Sequence, residues 1–426
     1  MTADRWVLLG LARPRLPWFT AVGTWATSGA LPAEFLKCLS AEEVRVRLAG
    51  GRPHSAVLLD GGLPSVDRDL LADVADAGCA AVVVEEGRTA RDWRGLGAAA
   101  VLPADFDRAA LVEALGSAAA MVGDVRLFAD DERPAPAGEP LGRLAVVCGP
   151  GGTGASTTAA ALAQGLGARG VSVVLADLAL RAEQAMLHDV RDVVPGIQEL
   201  VDAHRSGTPS AEDVRALTFA VVERRYALLL GLRQARSWAV LRPRALTAAL
   251  DSLRTTFEVV VADVTADFEG EADGGSADVE ERNALARSAL AAADVGFVVG
   301  RLGVKGLHAL VRTVGEAVGA GLDPGRVLPV VADAPRSPRA RAEVTAALAA
   351  LAGPALPAPV AAPIFLPSRR VEQSVRDALP LPAPLPGRMA GAFGAVVARR
   401  GRTVVPAAAG AVRVVPGSLS HWADPS

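Results

Sequence analysis

The chain has 426 residues, 51% of them hydrophobic and only 4% aromatic, with a formal net charge of -3. Length and apolar content allow two or three domains with real cores. The near-neutral charge gives no global electrostatic case for binding nucleic acid or an acidic membrane.

In chain order, residues 1–124 alternate apolar strand-like runs with helical stretches. Within them, "SAVLLDGGLPSVDRDLLADVADAGCAAVVVEEG" (55–87) reads as strand, loop, helix, strand, with Asp60 ending the first strand. "SAEE" from Ser40 reads as a capping box belonging to the helix before it, and "FDRAALVEALG" as the last helix of this part. The charged, Pro- and Gly-rich stretch "DDERPAPAGEPLGR" (130–143) marks a linker, taken as 125–143. A second domain is expected over 144–400. Its strand candidates are "RLAVVC", "VSVVLAD", "YALLLGL", "FEVVVADV", "VGFVVGR" and "RVLPVVAD". Short, wholly apolar strands separated by helices predict a doubly wound α/β domain, its mostly parallel sheet covered on both faces. The tail, 401–426, is rich in breakers and reads as flexible.

The chemistry concentrates in "VVCGPGGTGASTT" (146–158). A strand entering a glycine loop that opens a helix presents unpaired N–H groups and the positive end of a helix dipole to an anion. Gly149, Pro150, Gly151, Gly152, Thr153, Gly154, Ala155, Ser156 and Thr157 form the candidate phosphate cradle. Gly149 and Gly154 match the glycines of G-x-x-x-x-G-K-[ST], and Ser156 the hydroxyl that holds Mg²⁺. Ala155 stands where the lysine belongs. Asp177 and Asp263 end two later apolar strands, where a parallel sheet binds ligands, and are the candidate Mg²⁺ partners. Neither is a secure catalytic residue. Arg181 and Arg233 are the candidate substitute cations near the same sheet edge.

The order of "GPGGTGASTTAAALAQGL", "VVLADL" and "FEVVVADV" resembles the MinD/ParA branch of P-loop ATPases, over about residues 143–400. Within that branch it resembles the CpaE/TadZ group, and "LPSRRVEQSVRDALPLPAPLP" resembles the actinobacterial CpaE-like, septum-site-determining proteins. The branch carries K-G-G-x-G-K-[ST], so both lysines are replaced here, by Pro150 and Ala155. The resemblance implies an ATP/ADP and Mg²⁺ site, with Asp333 standing where relatives often place a base-reading asparagine. It also implies a homodimer and protein partners in a Flp/Tad-type pilus, secretion or division machine. Loss of both lysines predicts slow or absent hydrolysis, hence no efficient enzyme. An active ATPase using a substitute arginine and a nucleotide-free scaffold are the alternatives.

Residues 5–120 resemble a receiver domain, as CpaE-like proteins carry in front. A working receiver needs an acidic pair after its first strand, and Arg13–Pro14 stands there. No lysine follows "AAAVLP". Asp60 is therefore not expected to accept phosphate, and the domain reads as a pseudo-receiver that docks or dimerises. Cys38, Cys79 and Cys148 are scattered in apolar runs and read as buried cytosolic thiols, and the five histidines show no metal spacing. "GRMAGAFGAVVARRGR" (387–402) reads as a packing helix more than a membrane-surface one. The opening residues show no secretory leader, and the uncharged run 344–368 is broken by prolines. A cytoplasmic location is expected, with any polar or septal address through partners and no nucleic acid bound.

Overall fold

The computed structural model describes residues 5–87, 91–122, 141–191, 194–356, 359–377 and 379–401. Most of the expected linker and nearly all of the tail therefore lie outside the described residues. The first domain is a five-stranded parallel sheet of β1 (Trp6–Leu11), β2 (Ala33–Cys38), β3 (Ala56–Asp60), β4 (Ala80–Glu85) and β5 (Ala100–Pro103). The strand order 2-1-3-4-5 is the flavodoxin-like doubly wound order. Between β4 and β5 the described residues form turns, and no helix covers that crossover. Ser40 caps the helix Ala41–Ala49, which follows it, by accepting from Glu43 N. The expectation of a box closing the preceding helix is thus corrected: the orphan N–H groups lie at a helix's start, so the cap must precede its helix.

The second domain is an eight-stranded sheet of β6 (Arg143–Cys148), β7 (Val173–Leu178), β8 (Phe219–Val221), β9 (Tyr226–Leu229), β10 (Val259–Val264), β11 (Val295–Arg301), β12 (Val327–Ala334) and β13 (Ile364–Pro367), in the order 13-12-11-6-10-7-9-8. All neighbours pair parallel except β8 with β9. The short edge strands β8 and β13 were not among the expected strands. Three or four residues carry too little apolar pattern to separate an edge from a loop.

Alternation along β6 shows why the wholly apolar strands need cover on both faces. Leu144, Val146 and Cys148 pack with Leu246, Leu250 and Leu253 of the helix Pro243–Thr256. Ala145 and Val147 pack on the opposite face with Ala159 and Leu162 of the helix Ala155–Gly167. Met389 and Phe393 of the terminal helix Leu385–Gly401 close over that helix, whose run of alanines lets the backbones approach. Each large aliphatic buried this way contributes about 1.5–3 kcal/mol relative to exposure. The terminal helix is therefore a packing helix. Among the described residues no helix is long and apolar enough to cross a membrane.

Among the described residues, the hydrogen bonds that join the two domains come from the first domain's cap residue Asp67 and the helix Arg68–Asp76 that it caps. Its Asp69, 5% exposed, accepts from Arg244 N at 2.9 Å and Ala245 N at 3.3 Å. These are first-turn amides of the helix Pro243–Thr256, which has no side-chain cap of its own. Asp69 thus caps a helix of the other domain. Burial pushes its carboxyl up, and the two N–H bonds oppose the rise. Beside it Arg205 donates to Asp67 at 3.0 Å, and Arg68 donates to the carbonyls of His204 and Gly207 at 2.9 and 3.1 Å. Asp69→Ala is expected to lower stability by about 1–2 kcal/mol at neutral pH. Asp69→Asn, which keeps an acceptor but loses the charge facing the helix dipole, should lose less. Thermal melts of the full chain check both.

Candidate functional site

Parallel pairing sets the centre of the site. Asp177 on β7 and Asp263 on β10 are register partners on adjacent strands. Their side chains therefore leave the sheet on the same side, with strands about 4.8 Å apart. Asp177 is fully buried and Asp263 is 2% exposed. Burial pushes both carboxyls well above the ordinary range. The neighbouring charge of Asp263 adds to the rise at Asp177, and hydrogen bonds from Gln184 and Ser156 oppose it at Asp263. Gly231 backs the pair: a Cβ there would lie 2.8 Å from the Asp177 carbonyl oxygen.

The loop between β6 and the helix Ala155–Gly167 stands beside these carboxylates. Thr153 closes a local turn by donating N–H and hydroxyl to the Pro150 carbonyl, at 3.2 and 2.7 Å. Among the described residues, no acceptor takes the N–H groups of Gly151, Gly152, Gly154, Ala155, Ser156 or Thr157, and the helix has no side-chain cap. Gly152 and Gly154 have φ of 76° and 85°, the left-handed region that glycine enters freely. A Cβ added at Gly151, Gly152 or Gly154 meets nothing within 4 Å. The loop is open on this side, and these N–H groups are unpaired among the described residues.

Gln184 joins loop and carboxylates, and sequence reasoning missed it. It is fully buried. Its backbone N–H donates to Asp177 Oδ2 at 2.8 Å, and its side-chain Nε2 donates to Asp263 Oδ2 at 2.7 Å and to the Ser156 carbonyl at 3.1 Å. Its Oε1 is buried without a partner. A single glutamine in "RAEQAML" carries no motif signal.

The other flank of the loop opens on a cleft of about 500 Å³, lined among others by Gly152, Gly154, Thr157, Arg301, Asp333 and Leu366. A larger hollow of about 840 Å³ lies on the first domain, outside this site. Asp333 has φ of 52°, unusual outside glycine, and accepts from Arg301 Nη2 at 2.6 Å. Arg301 also donates to the Gly152 carbonyl at 3.4 Å. This arginine, ending β11 beside the loop's own strand, is a cation in contact with the cradle, and it is not among those expected from sequence. Its strand "VGFVVGR" is a readable strand ending in a cation, but the place of that strand next to β6 is a long-range property that no local pattern carries. Arg233 is instead engaged by Glu199, and Arg181 is exposed with no ion pair among the described residues.

In the first domain Asp60 is fully buried at the end of β3, and Arg13 occupies it. Arg13 donates from Nε to Oδ2 at 2.6 Å, from Nη2 to Oδ1 at 3.1 Å and from its backbone N–H at 3.1 Å. Burial would push the Asp60 carboxyl up, but these bonds and one from Gly62 N hold it below the ordinary range. Arg13 also reaches Glu86 at 3.0 Å. The three cysteines are free and buried, with burial pushing the Cys148 thiol up to about 12. Among the described residues no group of three or more His, Cys, Asp or Glu side chains forms a metal site.

No family model and no curated protein matches the chain. Solved structures similar to it include a ParA family ATPase from Chlorobium tepidum, at 12% identity and TM-score 0.43, covering 61% of this chain and 94% of that one. The cell division ATPase MinD from Pyrococcus furiosus is similar at 19% identity and TM-score 0.42, covering 62% and 100%. MinD from Pyrococcus horikoshii, complexed with Mg-ADP, is similar at 19% and 0.41, covering 61% and 96%. These neighbours are MinD/ParA-type ATPases.

Two outcomes follow from the buried carboxylates. Asp177→Asn is expected to raise the melting temperature of the ligand-free protein at pH 7. A carboxyl whose folded pKa is raised costs stability above its unfolded value, so the gain should shrink as pH falls toward about 4. Arg13→Ala is expected to cost about 1–3 kcal/mol, less than for a fully buried pair because the guanidinium is partly exposed. Thermal melts across pH check the first, and denaturant titration the second.

Proposed function

We propose that the chain is a nucleotide-responsive positioning protein whose P-loop-type site binds ATP or ADP weakly and hydrolyses it little or not at all. The observation that carries this reading is the open cradle of loop amides beside two buried carboxylates, with no lysine at either position 150 or 155. Backbone N–H groups at a helix start hold phosphate without a side-chain cation. The hard oxygen donors Ser156, Asp177 and Asp263 suit Mg²⁺, and two buried carboxylates with no cation between them fit that ion. When bound, Mg²⁺ supplies charge against phosphate oxygens. The chain's own part is to bind and orient: the amides of Gly151, Gly152 and residues 154–157 grip phosphate, Ser156 and the carboxylates hold the metal side, and Leu366 and Pro367 wall the cleft on the other flank. Pro150 offers neither charge nor N–H, and Ala155 no charge. The transition state therefore lacks its usual cationic stabilisation, which commonly costs orders of magnitude in rate.

In this reading nucleotide stabilises one conformation or a dimer, because a ligand shifts an equilibrium by binding one state better. The sequence resemblance to CpaE/TadZ-like proteins directs that switch to protein partners of a pilus, secretion or septum assembly, from a cytoplasmic location. The receiver-like first domain, its aspartate closed by Arg13, acts as a docking module and not as a phosphoacceptor. Arg301, already tied to Asp333 and Gly152, favours this over an ATPase with a substitute arginine.

Titration calorimetry with Mg-ATP and Mg-ADP on the full chain tests the reading. Binding is expected at high-micromolar to millimolar nucleotide, with phosphate release no faster than in Asp263→Ala. Restoring a charge-assisted bond with Ala155→Lys should tighten binding about tenfold or more, since such a bond contributes about 1.5–3 kcal/mol. No heat and no thermal shift at millimolar nucleotide would leave a nucleotide-free scaffold.

A further inference from the structure

The glutamine between the two carboxylates is itself held from behind. Its backbone carbonyl accepts from His188 Nδ1 at 2.7 Å, and His188 Nε2 lies 2.5 Å from the Tyr226 hydroxyl. A carbonyl only accepts, so Nδ1 carries the proton and Nε2 accepts from the tyrosine. His188 is 6% and Tyr226 5% exposed, and the two rings pack edge to face. The buried guanidinium of Arg224 stands beside them, fixed by the carbonyls of Leu379 and Ser374 at 2.9 Å each. A continuous buried chain therefore runs from β9 through Tyr226 and His188 to Gln184, and on to Asp177, Asp263 and the loop at Ser156.

We propose that Gln184 is a built-in plug of the carboxylate pocket, its amide N–H₂ taking the place of a divalent cation, and that Tyr226 and His188 are positioning residues that lock it there. Two features carry this. The amide spans Asp263 and the Ser156 backbone carbonyl, both acceptors, and so fills the space between one carboxylate and the first turn of the loop's helix. Its Oε1 is buried and unpartnered, so the plug is imperfectly satisfied and can be displaced. An amide cancels less of the carboxylates' charge than a divalent ion does, which leaves the pocket ready to exchange one for the other. Entry of the ion requires the Gln184 side chain to leave, and the backbone that sets its position is pinned through His188 to Tyr226. The site is thus closed by its own fold until something displaces the segment 184–188. The proposal rests on Ser156, Asp177 and Asp263 forming a cation pocket, and it does not require that nucleotide bind.

The test is Mn²⁺ binding to the full chain without nucleotide, read from the spin-resonance signal of free Mn²⁺, for wild type, Gln184→Ala and Tyr226→Phe. Gln184→Ala is expected to bind Mn²⁺ at least about tenfold more tightly than wild type. Tyr226→Phe, which removes one hydroxyl and keeps the ring packed, should give a smaller gain in the same direction. Adding Asp263→Asn to either variant should abolish the gain. Should Gln184→Ala fail to fold, Tyr226→Phe decides alone. Tyr226→Phe binding Mn²⁺ no more tightly than wild type, whether both bind or neither does, overturns the lock. A gain that survives Asp263→Asn overturns the pocket. Because the assay contains no nucleotide, failure of nucleotide binding is a separate result.

Discussion

Two carboxylates brought into register on neighbouring parallel strands are the constraint on which the second domain turns. Asp177 and Asp263 lie eighty-six residues apart in sequence but side by side in the sheet, at strand ends sealed from water. Such a pair is unfavourable for folding unless something nearby absorbs its charge. In the structure that something is a neutral amide, supplied by Gln184 and aided by Ser156. The same charge is what makes the pocket useful: the carboxylates would hold a cation, the loop's amides an anion, and the two lie within one side chain of each other. Strain retained at one place in an otherwise consistent fold is typical of a working site.

The loop and the first domain show the same substitution of fixed contacts for reactive ones. Where the resemblance leads one to expect lysines, the loop has Pro150 and Ala155, and keeps only the backbone geometry. Where a receiver needs an acidic pair, the first domain has Arg13, which closes over Asp60 with three hydrogen bonds. That domain is then tied to the second by Asp69, which completes the start of a core helix it does not belong to. In the function we propose, both centres lack reactive groups while the connections between parts remain, which suits a protein that reports a bound state by shape.

Much of the architecture was legible from sequence because it rests on local patterns. Continuous apolar strands between helices gave the doubly wound sheets, and glycines before an alanine-rich helix gave the open loop. Asp177 and Asp263 were found as strand ends, yet their adjacency was not, since strand order is a long-range property. Gln184, Tyr226 and His188 were invisible for the same reason: one hydrogen-bonded chain is assembled from β9 and the segment after β7. Arg301 ends an apolar strand, as Arg233 follows one, but its place next to the loop's strand is set by the same long-range strand order. The misplaced cap at Ser40 came from reading a start signal as a stop.

The central claim is that main-chain amides alone make the loop between β6 and the following helix an anion site. Hydrogen–deuterium exchange of peptides spanning residues 150–158, with and without Mg-ADP, tests it most directly. The account predicts slowed exchange at the amides of Gly151–Thr157 that grows with nucleotide concentration. Exchange in that segment unchanged at every nucleotide concentration would contradict it.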